Sequence, residues 1–182
     1  MKPEHVVLLG DLKGTKAGLV DQTSDAGQKL AERMAVLHGA FARLVLEYID
    51  RSRTMYAYCF SDSVLVRWDD ATEAERFAPS IASKLWGELQ QAGLPFRVFI
   101  DSGTGVSVAD DVGHAIQGAV GRYHHVVPVS MAVWSVFVAE ESHFPDGVFI
   151  GKNFATRLSD SVLGSTAYKA GPFTFFKMQE GG

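Results

Sequence analysis

The sequence predicts a single α+β domain with a ferredoxin-like βαββαβ core. Short apolar runs bounded by turn residues alternate with two long stretches whose apolar residues recur at helical spacing. Their order along the chain is strand, helix, strand, strand, helix, strand, which is the split βαβ arrangement. The chain of 182 residues is long enough for one sizeable core and short for two. We therefore expect residues 1–182 to form one domain.

The core strands are predicted from apolar runs that end at turn residues. The first run is apolar on both faces, which is typical of a central strand. The second and third form a hairpin that turns at Ser61 and Asp62, and the fourth leads into Gly103-Thr104-Gly105, where we expect a turn. The strands are expected at residues 5–10, 54–60, 63–68 and 96–100.

The two core helices are predicted at residues 28–50 and 71–92, where apolar residues lie three or four positions apart. The acidic pair at residues 69–70 is typical of a helix N-cap, and the Gly-Leu-Pro segment at residues 93–95 ends the second helix.

The last third of the chain adds less regular elements to this core. A short strand is expected at residues 123–127, and Ser130 is expected to cap a helix that ends near Glu141. Closing strands are predicted at residues 148–150 and 173–176, with a short helix near residues 153–163.

The composition limits the partners that the surface can bind. The net charge is −4, so the surface as a whole does not attract nucleic acid or anionic membranes. No apolar run reaches the roughly 18 residues that a membrane-spanning helix needs, and we expect no secretory signal peptide. The sequence has one cysteine, Cys59, so a disulfide framework is excluded and a cytoplasmic location is favoured. We expect the Cys59 thiol to be buried and inert.

Two acidic turns are the most informative feature of the sequence. Asp11 follows the first strand, and Asp62 lies in the hairpin turn. Two carboxylates brought together by a sheet form a site for hard divalent cations, which bind oxygen ligands and bridge protein to phosphate. The loop after Asp11 contains Gly14, and its backbone N–H groups can cradle a phosphate chain. The alternative is that each aspartate only satisfies N–H groups of its own turn.

Four segments, taken in order, carry a family resemblance. They are VLLGDLKGT (residues 7–15), FSDSVLV (residues 60–66), FRVFIDSG (residues 96–103) and AIQGAVG (residues 115–121). They resemble segments of class III nucleotidyl cyclases. Residues 7–15 resemble the first metal-binding strand of that family, and residues 60–66 resemble its second metal turn. Residues 96–103 resemble the strand that ends in a His-Thr/Ser-Gly signature, and residues 115–121 resemble the small-residue strand that follows. Asp101 stands where that signature has histidine. The resemblance extends over nearly the whole chain.

The resemblance implies a reaction and its cofactors. In these cyclases the ribose 3′ hydroxyl attacks the α-phosphate and pyrophosphate leaves, and two metal ions neutralise the attacking and leaving oxygens. Asp11 and Asp62, with the Leu12 carbonyl, are then expected to hold two Mg²⁺ or Mn²⁺ ions. The implied triphosphate loop consists of Leu12, Lys13, Gly14, Thr15 and Lys16. Sites in this family form between subunits, so the resemblance implies a homodimer with two composite active sites.

Two positions bear on the nucleotide base. Purine cyclases generally carry Lys or Glu four residues before the second metal aspartate; this chain has Tyr58 there, and His125 lies at or near the second base-contacting position. These neutral side chains, and the size of tyrosine, favour a smaller base. The pattern resembles the pyrimidine cyclases of bacterial Pycsar anti-phage systems, with UTP favoured over CTP and a product that a separate effector protein binds. The alternatives are a strand tyrosine that only packs, and a purine cyclase.

The family's transition-state helix is the main departure. Its Asn-x-x-x-Arg pair maps onto Ala132 and Val136, and neither side chain can position a ribose or neutralise a phosphate. A degenerate cyclase that binds nucleotide or a partner without turnover is therefore an alternative. Another phosphoryl-transfer enzyme on the same palm-like fold is a further one, although the turn at Asp62 lacks a Gly-Gly-Asp/Glu-Glu/Asp pattern.

Three cations are candidates for the missing arginine: Arg97, Arg122 and Lys169. Lys169 resembles the C-terminal phosphate-binding lysine of the family. Arg97 is equally interpreted as a solvated strand residue.

Overall fold

A mixed β-sheet lies at the centre of the computed structural model, which describes residues 4–15, 25–106 and 129–179. The strands are β1 (Glu4–Leu12), β2 (Met55–Phe60), β3 (Ser63–Trp68), β4 (Phe96–Val106), β5 (Val129–Ser130), β6 (Gly147–Gly151), β7 (Leu163–Ala170) and β8 (Phe173–Met178). The α-helices are α1 (Asp25–Tyr48), α2 (Ala71–Gln91), α3 (Met131–Glu140) and α4 (Lys152–Ala155). Short 3₁₀ turns cover Ile49–Arg51 and Asp160–Val162.

The described strands follow the order β2-β3-β1-β4-β6-β8-β7, and β5 pairs with the end of β4. The pairing of β4 with β6 is parallel, and the other pairings are antiparallel. The predicted βαββαβ core is confirmed, with β1 between β3 and β4 at its centre. This position explains why the first strand is apolar on both faces.

Two hydrophobic cores cover the two faces of the sheet. Alternate residues of β1 point to opposite faces, so Val6 and Leu8 belong to the core that includes residues of α1 and α2, whereas Val7 and Leu9 belong to the core beneath α3. The second core contains a cluster of four phenylalanines from different parts of the chain: Phe99, Phe144, Phe149 and Phe175.

Both predicted helix caps are confirmed. The Asp70 carboxylate accepts hydrogen bonds from the backbone N–H groups of Thr72 (2.7 Å) and Glu73 (3.4 Å), and the Ser130 hydroxyl accepts one from Val133 (3.2 Å). Asp69 has a different role, because its carboxylate is bound to Arg67 and His5. Among the described helices, none is long and apolar enough to cross a membrane.

The structure corrects the prediction of a turn at Gly103-Thr104-Gly105. Strand β4 continues to Val106, because His5 and Glu4 of β1 pair with Gly103 and Thr104. Glycine is needed at position 103, since a Cβ there would lie 2.7 Å from the Ala132 backbone nitrogen of α3. A partner strand distant in sequence therefore extends β4 through residues whose local preference is for a turn.

Three further expectations change. Strand β7 was not predicted, and the short helix expected near residues 153–163 is divided between α4 and a 3₁₀ turn. Cys59 is exposed rather than buried. Met55 and Ala57, on the same face of β2, contact the helical core, but Cys59 lies beyond it near the hairpin turn. The strand expected at residues 123–127 lies outside the described residues.

Asp101 is a buried carboxyl group whose ionisation affects the stability of the fold. It lies in β4, is 1% exposed, and accepts hydrogen bonds from the backbone N–H groups of Ser102 (2.9 Å) and Phe154 (3.3 Å). Burial raises the pKa of Asp101 above its ordinary value, outweighing the hydrogen bonds that lower it. Because the folded-state pKa exceeds the unfolded value, the wild-type protein loses stability as pH rises from the unfolded pKa towards the folded one.

We expect Asp101→Asn to gain stability relative to wild type as pH rises from 4 to 8, because asparagine keeps an acceptor without the charge. Urea unfolding at both pH values measures this difference. Asp50→Asn, at an exposed aspartate, is the control and should show no such gain. If the difference in the free energy of unfolding between Asp101→Asn and wild type were the same at both pH values, the prediction would be contradicted.

Candidate active site

The two predicted acidic residues meet at one end of the sheet, although Asp11 lies within β1 (Glu4–Leu12) and not in a turn that follows it. Antiparallel pairing of β1 with β3 places Asp11 opposite Ser63, directly beside Asp62 in the hairpin turn. The Leu12 backbone N–H donates to the Asp62 carbonyl oxygen at 3.0 Å, which joins the two turns. The negative charge of Asp62 is one of the causes that raise the pKa of Asp11, after burial. The expected proximity of the two carboxylates is therefore present.

An open cavity of about 570 Å³ lies over these carboxylates. Its wall combines the first turn, the hairpin and the segment that links α3 to β6. The lining residues are Asp11, Leu12, Lys13, Gly14, Thr15, Asp62, Arg97, Glu140, Glu141, Ser142, His143, Phe144 and Pro145. This volume is within the range of pockets that bind small ligands.

Arg97 lies at the base of this cavity, where β4 pairs with β1 and places it opposite Asp11. Its Nη2 donates to Asp11 Oδ2 at 2.7 Å, and its Nη1 donates to the Ser142 carbonyl oxygen at 2.8 Å. Both partners of the ion pair are buried. Arg97 is therefore a buried residue of the site and not a solvated strand residue.

The Asp11 carboxylate has opposing influences on its protonation. Burial raises the pKa of Asp11, while the hydrogen bond and charge of Arg97 and the hydrogen bond from Ser63 (3.3 Å) lower it, and burial prevails. A positive charge beside this carboxylate thus favours its ionised form.

The loop after Asp11 is held by contacts that the sequence did not reveal. The Lys13 backbone N–H donates to the Pro95 carbonyl (3.0 Å), and the Lys13 carbonyl accepts from Arg33 (2.7 Å). This corrects the predicted phosphate loop, because the N–H of Lys13 is already used. The Lys13 ammonium pairs with Asp146 at 3.0 Å, and Thr15 donates its hydroxyl hydrogen to Asp62. Gly14 has φ +77°, a conformation that favours glycine.

The donor set at this cavity fits a hard divalent cation. Asp11 and Asp62 supply carboxylate oxygens, and Arg97 already places a positive charge on Asp11 Oδ2. Within the described part of the chain, no three His, Cys, Asp or Glu side chains form a metal-binding group. Two carboxylates suit Mg²⁺ in particular, which usually keeps several waters and binds one or two carboxylates together with substrate phosphates.

Other predicted site residues lie elsewhere. Tyr58 is in β2, packs against the core beneath α3 and stacks on Phe60 at 6.4 Å between ring centroids; it does not line the cavity. Lys169, in β7, donates to the Thr174 hydroxyl at 2.6 Å and does not line the cavity either. Lys16, Arg122 and His125 lie outside the described residues.

The two positions onto which the resemblance maps the family's transition-state pair have a packing role. Ala132 and Val136 of α3 are fully buried and pack in the core beneath that helix. The C-terminal end of α3 and the segment after it line the cavity instead, with Glu140 and Ser142 near Arg97. No motif in the sequence marks this segment. The pairing of Arg97 with Asp11 follows from the adjacency of β1 and β4 together with a register that the sequence does not specify.

The fold is that of the catalytic domains of class III adenylyl and guanylyl cyclases. The chain matches no protein-family model and no curated protein. It is similar to a variant of the guanylyl cyclase domain of the RhoGC fusion protein from the aquatic fungus Blastocladiella emersonii, with a TM-score of 0.68 and 11% identity over 98% of this chain and 95% of that one.

Two further solved structures have the same fold. The guanylate cyclase domain of RhGC from Catenaria anguillulae in complex with GTP has a TM-score of 0.62 and 12% identity, and the match covers 98% of each chain. An adenylate cyclase from Trypanosoma brucei has a TM-score of 0.60 and 12% identity over 97% of this chain and 89% of that one.

Proposed function

We propose that this chain is a divalent-metal-dependent nucleotidyl cyclase that converts a nucleoside triphosphate to its 3′,5′-cyclic monophosphate and pyrophosphate. The observation that carries the proposal is the meeting of Asp11 and Asp62 beneath a ligand-sized cavity, on the fold of cyclase catalytic domains. Bound Mg²⁺ or Mn²⁺ would lower the pKa of the ribose hydroxyl and neutralise charge on the phosphates.

The chain's own residues supply binding and orientation. Asp11 and Asp62, with the Leu12 carbonyl, would hold the cations, and Lys13, Gly14 and Thr15 line the cavity in which the triphosphate would bind. Arg97 lies at the base of the cavity and offers a planar guanidinium, which suits phosphate oxygens as well as carboxylates. We assign Arg97 the charge-neutralising role for which Arg122 and Lys169 were the other candidates.

The active form is proposed to be a homodimer in which each site is completed by the partner subunit. Support comes from an exposed apolar surface on α3 formed by Met131, Trp134 and Phe137, with Trp134 52% exposed. Contiguous exposed aromatic side chains are typical of protein interfaces. Solved guanylyl cyclase domains of the RhoGC fusion protein include a non-canonical dimer and monomers. Tyr58 and Lys169, which lie away from the cavity of their own chain, are then candidates for the partner's site.

The nucleotide is proposed to be a pyrimidine, with UTP favoured over CTP, and the support is the tyrosine at position 58 together with the Pycsar resemblance. A product bound by a separate effector in anti-phage defence rests on that resemblance alone. The similar solved structures are guanylyl and adenylyl cyclases, so a purine is the competing substrate.

A second candidate function is nucleotide binding without turnover. It is favoured by the burial of Ala132 and Val136, which leaves α3 without a side chain that can stabilise the transition state.

We expect the protein to form cyclic UMP with Mn²⁺ and to form less product from CTP, ATP or GTP. Separate incubations with the four nucleotides, analysed for cyclic product and pyrophosphate, measure this preference. Light scattering on the same preparation reports whether the active species is a dimer. Cyclic AMP or cyclic GMP as the main product would contradict the pyrimidine assignment alone. Nucleotide binding without any cyclic product would instead support the second candidate function.

A further inference from the structure

The Arg97 guanidinium lies between two carboxylates of the cavity. Its Nη2 is 2.7 Å from Asp11 Oδ2 and 3.9 Å from Glu140 Oε1. Glu140 is the last residue of α3, and its side chain is 23% exposed. One guanidinium nitrogen therefore has a close acceptor on β1 and a second acceptor within reach on α3.

We propose that Glu140 is a positioning residue, which receives Arg97 when Asp11 binds a divalent cation. This inference rests on the proposed metal site. A cation bound to the Asp11 carboxylate repels the Arg97 guanidinium, which lies 2.7 Å from Oδ2, so cation binding favours release of that oxygen by Arg97. A buried guanidinium that has lost its carboxylate partner carries a large free-energy penalty, even while Nη1 keeps the Ser142 carbonyl. Glu140 lowers that penalty because it offers a carboxylate of the same chemistry.

The geometry allows this exchange with a small movement. The Ser142 carbonyl holds Nη1 at 2.8 Å, so the guanidinium can turn about that contact while Nη2 changes acceptor. A shift of about 1 Å brings the 3.9 Å separation to a normal hydrogen-bond distance. Glu140 and Ser142 belong to one short segment, which can thus hold Arg97 through both acceptors when Asp11 is occupied.

Glu141 is a matched control on the same cavity wall. It carries the same charge and is exposed, but the ion pairs of Arg97 among the described residues are with Asp11 and Glu140. Substituting either glutamate with glutamine removes one negative charge from the cavity. Only Glu140→Gln also weakens the second acceptor for Arg97.

The test is Mn²⁺ binding to the full chain, measured by electron paramagnetic resonance without nucleotide, so that no phosphate can bind Arg97. We expect Glu140→Gln to raise the Kd for Mn²⁺ about fivefold, the effect of a partly buried ion pair. Glu141→Gln should remain within about twofold of wild type, because an exposed charge is screened. An unchanged Kd in Glu140→Gln, or equal weakening in both variants, would overturn the inference.

A double-mutant cycle with Arg97→Gln separates a role through Arg97 from direct cation binding. In that background Glu140→Gln should leave the Kd unchanged, and a persistent effect would show that Glu140 acts on the cation itself and overturn the inference. Circular dichroism checks that each variant folds. If Arg97→Gln does not fold, the comparison of Glu140→Gln with Glu141→Gln decides the question. A wild-type protein that binds no Mn²⁺ would overturn the proposed metal site and this inference together.

Discussion

Replacing Asp62 with alanine is expected to lower cyclic nucleotide formation at least about 100-fold, because two-metal catalysis contributes several kcal/mol and each 1.4 kcal/mol is about tenfold in rate. The fold should survive this change. The Asp62 side chain is only partly buried and lies in a turn, and the bond that joins the two turns uses the Asp62 backbone carbonyl, which alanine keeps.

The measurement is the initial rate of cyclic product with saturating nucleotide and Mn²⁺, with circular dichroism as the check on folding. Asp50→Ala, at an exposed aspartate of the 3₁₀ turn after α1, is the control and should retain the wild-type rate. A well-folded Asp62→Ala protein with wild-type turnover would remove Asp62 from the metal site. Loss of product in both variants would point to an unspecific effect of removing acidic side chains.

Phe99→Ala is expected to reduce the free energy of unfolding by about 3–5 kcal/mol, which is usual for deleting a fully buried phenylalanine. Phe99 is 0% exposed, and its ring centroid lies 5.5–6.0 Å from those of Phe144, Phe149 and Phe175. The substitution leaves a cavity in the middle of this cluster. Phe144 also lines the active-site cavity, so the loss extends to the wall of the site.

Urea unfolding at a single pH measures the effect, and Phe60→Ala is the matched control. Phe60 is exposed at the end of β2, so its loss should cost less than about 1 kcal/mol. The Arg97 guanidinium lies 5.6 Å from the Phe99 ring centroid, so we also expect Phe99→Ala to loosen the pairing of Arg97 with Asp11. Equal losses in the two phenylalanine variants would contradict the described packing.

Local patterns predicted much of the fold. Helical spacing of apolar residues located α1 and α2 to within a few residues, and Asp70 and Ser130 were correctly identified as caps. These features succeed because they depend on residues that are close in sequence. Strand β7 was missed, because its eight residues include several exposed positions and lack a clear apolar alternation.

The candidate site was predicted in part. The order of the strands was sufficient to bring Asp11 and Asp62 together, since neighbouring strands in this core place their ends side by side. The sequence is equally compatible with Arg97 as a surface residue, because burial of a strand residue depends on what covers it. No sequence signal marks the contribution of Glu140 and Ser142, since one ends a helix and the other follows it, and neither belongs to a motif.

The α+β core, its order of elements and the two acidic residues of the site are predictable from the sequence, because periodicity, caps and turn residues act over a few positions. Tertiary structure alone decided that β4 continues past its glycines, that Cys59 lies beyond the helical layer, and that Arg97 is paired with Asp11. Those outcomes depend on strand register and on which segments cover each face. Both are set by the packing of residues far apart in the chain, which no local pattern specifies.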